Sequence, residues 1–434
     1  MAGLASVGSL RNRGAVSSVR VAVVGAGIIG VSTAEWLRRD GHEVTLIDRV
    51  RPGDPGQASW GNAGVLAASS SIPVSVPGLV WKLPGYLLSR DAPLHVHWGS
   101  LARSMPWLLH FLWNGRRTKV EQIAAALAPL ISDTVEQHLG LARGTNAVSF
   151  VRSANYTAIY RDRTAFKKDA FVFGLRRRLG SDWDEWDRET LNAREPELSD
   201  AYGFAASFRD HGFISSPAGY VAALAMHFER EGGRFLPGEV VDISPREGNG
   251  AAVTLAGGAR HHSDRVVLAA GVWSAKLASR LGYKTAMVAE RGYHVTLSGA
   301  SHMPRGPIMV ADAKTSVTPM ADGLRFAGTV EVAPVNAPPS RAPLQALRRT
   351  IRRVFPRLAW RKETTWMGQR PSTVDSLPLI GPLPDAPAVL FAFGSQHVGM
   401  TMGPRVGRLV ADLVGMRKPN IDLRPYRVDR FNRG

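Results

Sequence analysis

The chain has 434 residues, enough for about two domains, and 44% of them are hydrophobic. It contains no Cys, which excludes disulfides, thiolate metal sites and thiol nucleophiles and leaves any redox chemistry to a borrowed cofactor. Lys and Arg number 54 against 36 Asp and Glu, a net charge of +18. That charge suits either contact with something anionic (nucleic acid, a lipid surface, an acidic partner) or a plainly solvated basic surface.

In chain order, residues 1–18 hold Arg11 and Arg13 but no apolar core of signal-peptide length, and read as a disordered leader. Nowhere is there an apolar run of the roughly 18 residues that a membrane span needs. Val21–Val24 is a short, wholly apolar run, read as a buried parallel strand. Gly25, Ala26, Gly27, Ile28, Ile29 and Gly30 follow directly, then a helical stretch from Val31 to Arg39 and a second strand over Glu43–Ile47 that ends at Asp48 and Arg49. In this order the parts form a dinucleotide-binding unit. Gly25 permits the tight turn, Gly27 lets backbone approach a pyrophosphate, and Gly30 lets helix pack on strand. The helix N-terminus offers unpaired N–H groups to phosphate, and Asp48 stands where an acid accepts from ribose hydroxyls.

Ala58–Gly64 is a small, polar, glycine-rich loop. Pro77 to Trp113 carries Trp81, Tyr86, Trp98, Trp107, Phe111 and Trp113 among leucines; it reads either as the packing side of helices or as a membrane-facing surface. Ser216-Pro217 looks like an N-cap with Pro at the first helical position, opening a helix to about Glu231. Strand-like runs follow at 234–236, 239–243, 252–255 and 265–269, the last entering a glycine turn at Gly271. Arg291–Leu297 and Leu324–Glu331 begin a second strand-rich section. Arg348, Arg349, Arg352, Arg353, Arg357, Arg361 and Lys362 cluster around a helix after Pro343, either as a solvated face or as an anionic-lipid contact. Gly394 to Thr401 forms a last glycine turn before a helix from about Pro404 to Val414. The 12 His residues show no metal-ligand spacing.

Taken as an ordered set, the N-terminal fingerprint, Ser59-x-x-Asn62-x-Gly64, the strand 266–271 and the block Gly368-Gln369-Arg370-Pro371-Ser372-Thr373-x-Asp375-x-x-Pro378-x-Ile380-Gly381 resemble the D-amino-acid oxidase superfamily of flavoenzymes. The resemblance runs from about Val19 to the C-terminus. It is closest to the D-amino-acid dehydrogenase and D-hydroxyproline dehydrogenase branch. It implies an α/β fold: a Rossmann-like FAD-binding domain, discontinuous in sequence, with a second α+β substrate domain on a mostly antiparallel sheet. The cofactor domain is expected over 19–89, 215–284 and 365–434, and the substrate domain over 90–214 and 285–364.

The resemblance also implies roles. FAD is the cofactor, with Ser59, Asn62 and Gly64 along the flavin and pyrophosphate and Val240 holding the adenine. Gly271 would line the channel, and Gly394, His397, Gly399 and Thr401 would face the ring edge and ribityl chain. Asp48 departs from the family's common Glu at that position. Arg370 would pair with a substrate carboxylate through two parallel hydrogen bonds; its structural alternative is an ion pair, with Asp375 as candidate. Tyr293 is the second candidate, its hydroxyl closing over the carboxylate or orienting the amine, or else a strand Tyr in the core. His294 is expected on the opposite face of that strand.

The implied reaction is oxidative deamination of a D-amino acid by hydride transfer from Cα, giving a 2-oxo acid and ammonia. Hydroxyproline, glycine and sarcosine are the alternative substrates. A quinone or carrier rather than O2 is the expected acceptor, and a cytoplasmic enzyme lying peripherally on the inner face of a bacterial membrane the expected setting. RNA-associated flavin chemistry is a remote alternative; no nucleic-acid partner is expected, because aromatics are not interleaved with Lys and Arg on any RNA module.

Overall fold

The computed structural model describes residues 18–81, 85, 94–96, 101–246 and 250–432. Expectations for the leader and for Tyr86 and Trp98 therefore lie outside the described residues. Two sheets carry the fold. The first has six strands in the order Leu379–Pro382, Val389–Phe393, Arg265–Leu268, Arg20–Val24, Glu43–Asp48, Arg234–Pro237. All its neighbours run parallel except the Leu379–Pro382 edge. Its central strands are apolar throughout because both faces are covered: Val21, Val23, Val267 and Leu390 pack under long helices on one side, and Ala22, Val24, Val266 and Val389 pack on the other against the strands Val240–Pro245 and Ala251–Leu255 and the short helix Ser274–Arg280. A three-stranded antiparallel sheet, Val240–Pro245 with Ala251–Leu255 and Arg260–Ser263, flanks it.

The second sheet is mostly antiparallel and orders Lys362–Thr373, Met287–Ser298, Gly323–Val332, Thr315–Met320, Ile308–Val310, Val151–Tyr160, Phe204–Ile214 and Val65–Leu66. The amphipathic helix Arg341–Val354 covers its outer face with Leu347, Ile351 and Val354. The inner face looks toward the first sheet. Both halves therefore draw on distant parts of the chain, and Lys362–Thr373 runs across the expected boundary at 365.

Two helix ends show the local logic. Ser216 caps the helix Pro217–Arg230 by accepting from Gly219 N at 3.2 Å, with Pro217 at its start. The last long helix begins earlier than expected, at Gly399 rather than Pro404, and holds Pro404 inside it. A proline there leaves the Met400 carbonyl without its helical donor. Buried His138 supplies the replacement, its Nε2 lying 2.8 Å from Met400 O, while Tyr220 Oη sits 2.9 Å from Nδ1. A side chain from 262 residues upstream thus satisfies a bond that the sequence of the helix itself denies.

Candidate active site

A cavity of about 760 Å³ runs between the two sheets. Its nucleotide end is the turn after Arg20–Val24. Gly25 has φ +106, and a Cβ there would lie 2.5 Å from Ala269 O; at Gly30 a Cβ would lie 1.7 Å from Gly25 O. Both positions admit only glycine, because the helix Ile28–Arg39 lies directly on the strand ends. That helix starts with no side-chain cap of its own, and Ser59 Oγ accepts from Ile28 N at 2.9 Å. Asp48 accepts from Ala26 N at 2.7 Å and from Val50 N at 3.3 Å, and Gln57 Nε2 donates to it at 3.3 Å. The acid is thereby fixed at the strand end beside the cavity. Arg49 Cζ lies over Trp273, 4.4 Å from the ring centroid.

Of the expected cofactor residues, Gly25, Gly27, Ile28, Ile29, Asp48, Arg49, Ser59, Asn62, Val240, Gly271, Gly394, His397, Gly399 and Thr401 line the cavity. Ala26, Gly30 and Gly64 do not. Gly64 is a correction: it has φ +70, a Cβ would lie 2.5 Å from Ile214 O, and its own carbonyl accepts from Ile214 N at 2.7 Å. Its work is to seat the short Val65–Leu66 strand on Phe204–Ile214.

At the opposite wall, the turn Gly394–Val398 leads into the helix that begins at Gly399. Gly394 has φ +86 and Gln396 φ +49. His397 is half-buried, and burial lowers its pKa below the ordinary histidine value, with Glu290 opposing and Arg370 adding to the shift. His397 Nδ1 and Ser395 Oγ are buried and have no protein partner.

The roof is the inner face of the second sheet. Period-two alternation puts Glu290, Gly292 and His294 of one strand beside Arg370, Gly368 and Trp366 of its neighbour, as direct register partners. Arg370 Nη1 donates to Glu290 Oε1 at 2.9 Å, and Ser372 Oγ donates to Glu290 Oε2 at 2.9 Å. The two facing glycines make room for what flanks them: a Cβ at Gly292 would lie 2.4 Å from Arg370 Nη2, and one at Gly368 would lie 1.9 Å from Trp366 Cη2.

The structural partner of Arg370 is thus Glu290, its register partner, and not Asp375, which is held by Arg430 at 2.7 Å. Tyr293 is a second correction. Although it borders the cavity, its ring packs in the core cluster beneath the helix Arg341–Val354. Its hydroxyl donates to Glu331 Oε2 at 2.6 Å and accepts from Ser340 N at 3.0 Å. Those bonds turn its hydroxyl away from Glu290 and Gly292. His294 stacks with Trp60 and Trp366 at 5.9 and 5.3 Å, and its Nδ1 lies 3.0 Å from Gly61 O. Burial pulls its pKa down to about 3.

The DAO family profile, described as FAD dependent oxidoreductase, matches residues 20–413. The chain belongs to this family. It is 36% identical over 416 residues to a D-amino-acid oxidase of Bradyrhizobium diazoefficiens, covering 95% of this chain and 98% of that one. It is 29% identical to D-amino acid dehydrogenase 2 of Ralstonia nicotianae, covering 95% and 100%. Among solved structures, glycine oxidase from Geobacillus kaustophilus superposes with a TM-score of 0.70 at 21% identity, covering 95% of this chain and 99% of that one.

The residues present fit FAD. A helix N-terminus without a side-chain cap of its own beyond the Ser59 bond to Ile28 N, a glycine turn without room for side chains, and two buried polar atoms without protein partners all belong to the lining of one long cavity. Sequence reasoning missed Glu290, Trp366 and Ser395. Only strand register reveals the first two, since Glu290 and Arg370 are 80 residues apart.

Proposed function

We propose that this enzyme oxidatively deaminates a D-amino acid, giving a 2-oxo acid and ammonia. The observation that carries the reading is the Arg370–Glu290 pair on the cavity face of the second sheet. An amino acid brings a carboxylate and an ammonium. A paired guanidinium and carboxylate offers one matching charge to each, so a zwitterion can exchange partners with the pair without leaving a buried charge alone. In this reading Arg370 takes the substrate carboxylate. Glu290 takes the ammonium and then its proton, leaving the neutral amine that oxidation requires. Ser372 holds the second oxygen of Glu290 and fixes its direction. Trp366 walls the site against water, with His294, kept neutral by burial, stacked on it.

Gly25, Gly27, Ser59 and the helix N-terminus at Ile28 would hold the FAD pyrophosphate, Asp48 the ribose, and His397 with the first turn after Gly399 the ring. When bound, FAD supplies the acceptor for the hydride of the substrate Cα–H. The 36% identity to a D-amino-acid oxidase supports the substrate class. Anaerobic mixing with a panel of D-amino acids, hydroxyproline isomers, glycine and sarcosine tests it. Bleaching of the yellow colour by D-amino acids is expected; bleaching by none of them, or only by the cyclic and achiral amines, overturns it.

A peripheral membrane setting with a quinone acceptor is the second part of the proposal. No helix among the described residues is long and apolar enough to cross a membrane. The helix Leu101–Trp113 is apolar on two sides. Trp107, Leu108 and Phe111 wall the cavity, whereas Leu109 and Trp113 are 58% and 55% exposed; Trp81, earlier in the chain, is 86% exposed. This outer face, with Arg116 over Trp113, suits shallow insertion into anionic lipid. The basic cluster at 348–362 suits it less. Arg348 is paired with Glu363 and Arg357 with Glu197, and Arg352 lies over Trp360. Sedimentation with anionic vesicles, and turnover in air with and without a quinone analogue, check both halves. Rapid peroxide formation without vesicle binding overturns them.

A further inference from the structure

We propose that Arg176 is a second anion-binding residue of the cavity, which recognises a carboxylate on the substrate side chain and so favours D-amino acids with an acidic side chain. The proposal rests on the reading of the cavity as an amino-acid site. Arg176 closes the helix Ala170–Arg178, beneath the strands Val151–Tyr160 and Phe204–Ile214. It lines the cavity at the end of the roof away from Arg370's strand. Phe173 and Phe208 lie against its guanidinium, at 5.0 and 5.3 Å from ring centroid to Cζ. Nε donates to Ser69 O at 3.1 Å, which fixes the plane and leaves the two terminal nitrogens as the fork.

What sets it apart is the missing acid. Among the described residues no carboxylate forms an ion pair with Arg176. The nearest acid to influence it, Asp169, instead accepts from Tyr160 Oη at 3.0 Å. The two most deeply buried arginines among the described residues, Arg291 and Arg325, have Glu331 and Asp322 as acidic partners, and half-buried Arg430 has Asp375. Burial among aromatics is strong enough to pull the Arg176 pKa below its ordinary value. A cation held in that surrounding with no carboxylate in direct contact is costly unless a ligand brings one. The ligand must be anionic, must enter by the cavity, and is best planar and bidentate, which describes a carboxylate. Arg370 already has Glu290 opposite it, so a second carboxylate is the group for which Arg176 is free.

The test compares D-aspartate, D-glutamate and D-2-aminoadipate with the neutral D-norvaline and D-norleucine, measured as kcat/KM in the holoenzyme and in Arg176→Met and Arg176→Lys. The wild type is expected to prefer one member of the acidic series, whose length reports the span between the two arginines. Arg176→Met is expected to retain FAD and to lose about a hundredfold or more on that substrate, with neutral substrates changing less than about threefold. Arg176→Lys should recover part of the loss, since an ammonium lacks the fork.

A second readout needs no turnover: glutarate and butyrate are titrated into the oxidised holoenzyme, and the change in flavin absorbance is followed. Glutarate should bind more tightly than butyrate in the wild type, and the difference should vanish in Arg176→Met. Equal losses on acidic and neutral substrates, or no loss on either, overturn the proposal. If no D-amino acid bleaches the flavin, the reading of the reaction fails, and the glutarate titration still decides the role of Arg176.

Discussion

Removing Arg370 should separate its structural work from its work on substrate. In the free enzyme its guanidinium neutralises Glu290, whose side chain is 11% exposed, so Arg370→Ala strands a mostly buried carboxylate with only the Ser372 hydroxyl. Breaking such a pair from one side costs about 3–5 kcal/mol. At roughly 2.1 cal/mol/K of unfolding entropy per residue, a chain of this length loses about 3–5 °C in Tm. Glu290→Gln in the same background removes the stranded charge, so the double variant should regain most of that Tm. Substrate affinity should not return, because the planar cation for the substrate carboxylate is still missing. A further loss of a hundredfold or more in kcat/KM is expected to persist. The assay is thermal unfolding of the wild type, Arg370→Ala, Glu290→Gln and the double variant, all as holoproteins, beside anaerobic bleaching rates at varied D-amino acid. A double variant with wild-type kcat/KM would refute the reasoning and leave Arg370 as a strand-to-strand tie alone.

Gly25→Ala should fail to retain FAD or to fold, since its Cβ meets a backbone carbonyl at φ +106, whereas Gly27→Ala meets only Ser59 Oγ at 3.3 Å and should keep the cofactor. Gly27→Val should lose it, which absorbance near 450 nm checks (~450 nm being the usual flavin band). His138 is buried with a pKa lowered to about 4 from 6.5, so the unfolded chain binds the extra proton between those values. Stability should therefore fall as pH drops from about 6.5 towards 4, by up to about 3 kcal/mol. His138→Gln should show a shallower fall in Tm over that window; an unchanged slope would place the pH sensitivity elsewhere. Tyr293→Phe should lower Tm by freeing Glu331 and Ser340 N, with kcat/KM little changed, and a loss of activity without loss of stability would return Tyr293 to the site.

The nucleotide half was legible because its signals are local. A strand, three glycines, a helix and an acid within about 30 residues fix a turn by sterics alone, and the glycine positions could be read as close approaches before any were measured. The Ser216 cap and the strands after it are of the same kind. The substrate half resisted because its decisive facts are pairings. Period two told that Tyr293 and His294 face opposite ways, but not what stands beside them; only the register of Met287–Ser298 on Lys362–Thr373 set Glu290 and Gly292, which line the cavity, next to Arg370 and Gly368. The same register gave Arg370 its acid. Pro404 looked like a helix start because a proline breaks the local bond, and the compensating His138 comes from another helix. Arg176 carried no signal at all, lying in a run of three arginines of which Arg177 and Arg178 are exposed. By itself the sequence determined where backbone geometry leaves one option. The tertiary structure decided which charges meet and which is left facing the cavity, since an ion pair depends on distance in space and not along the chain.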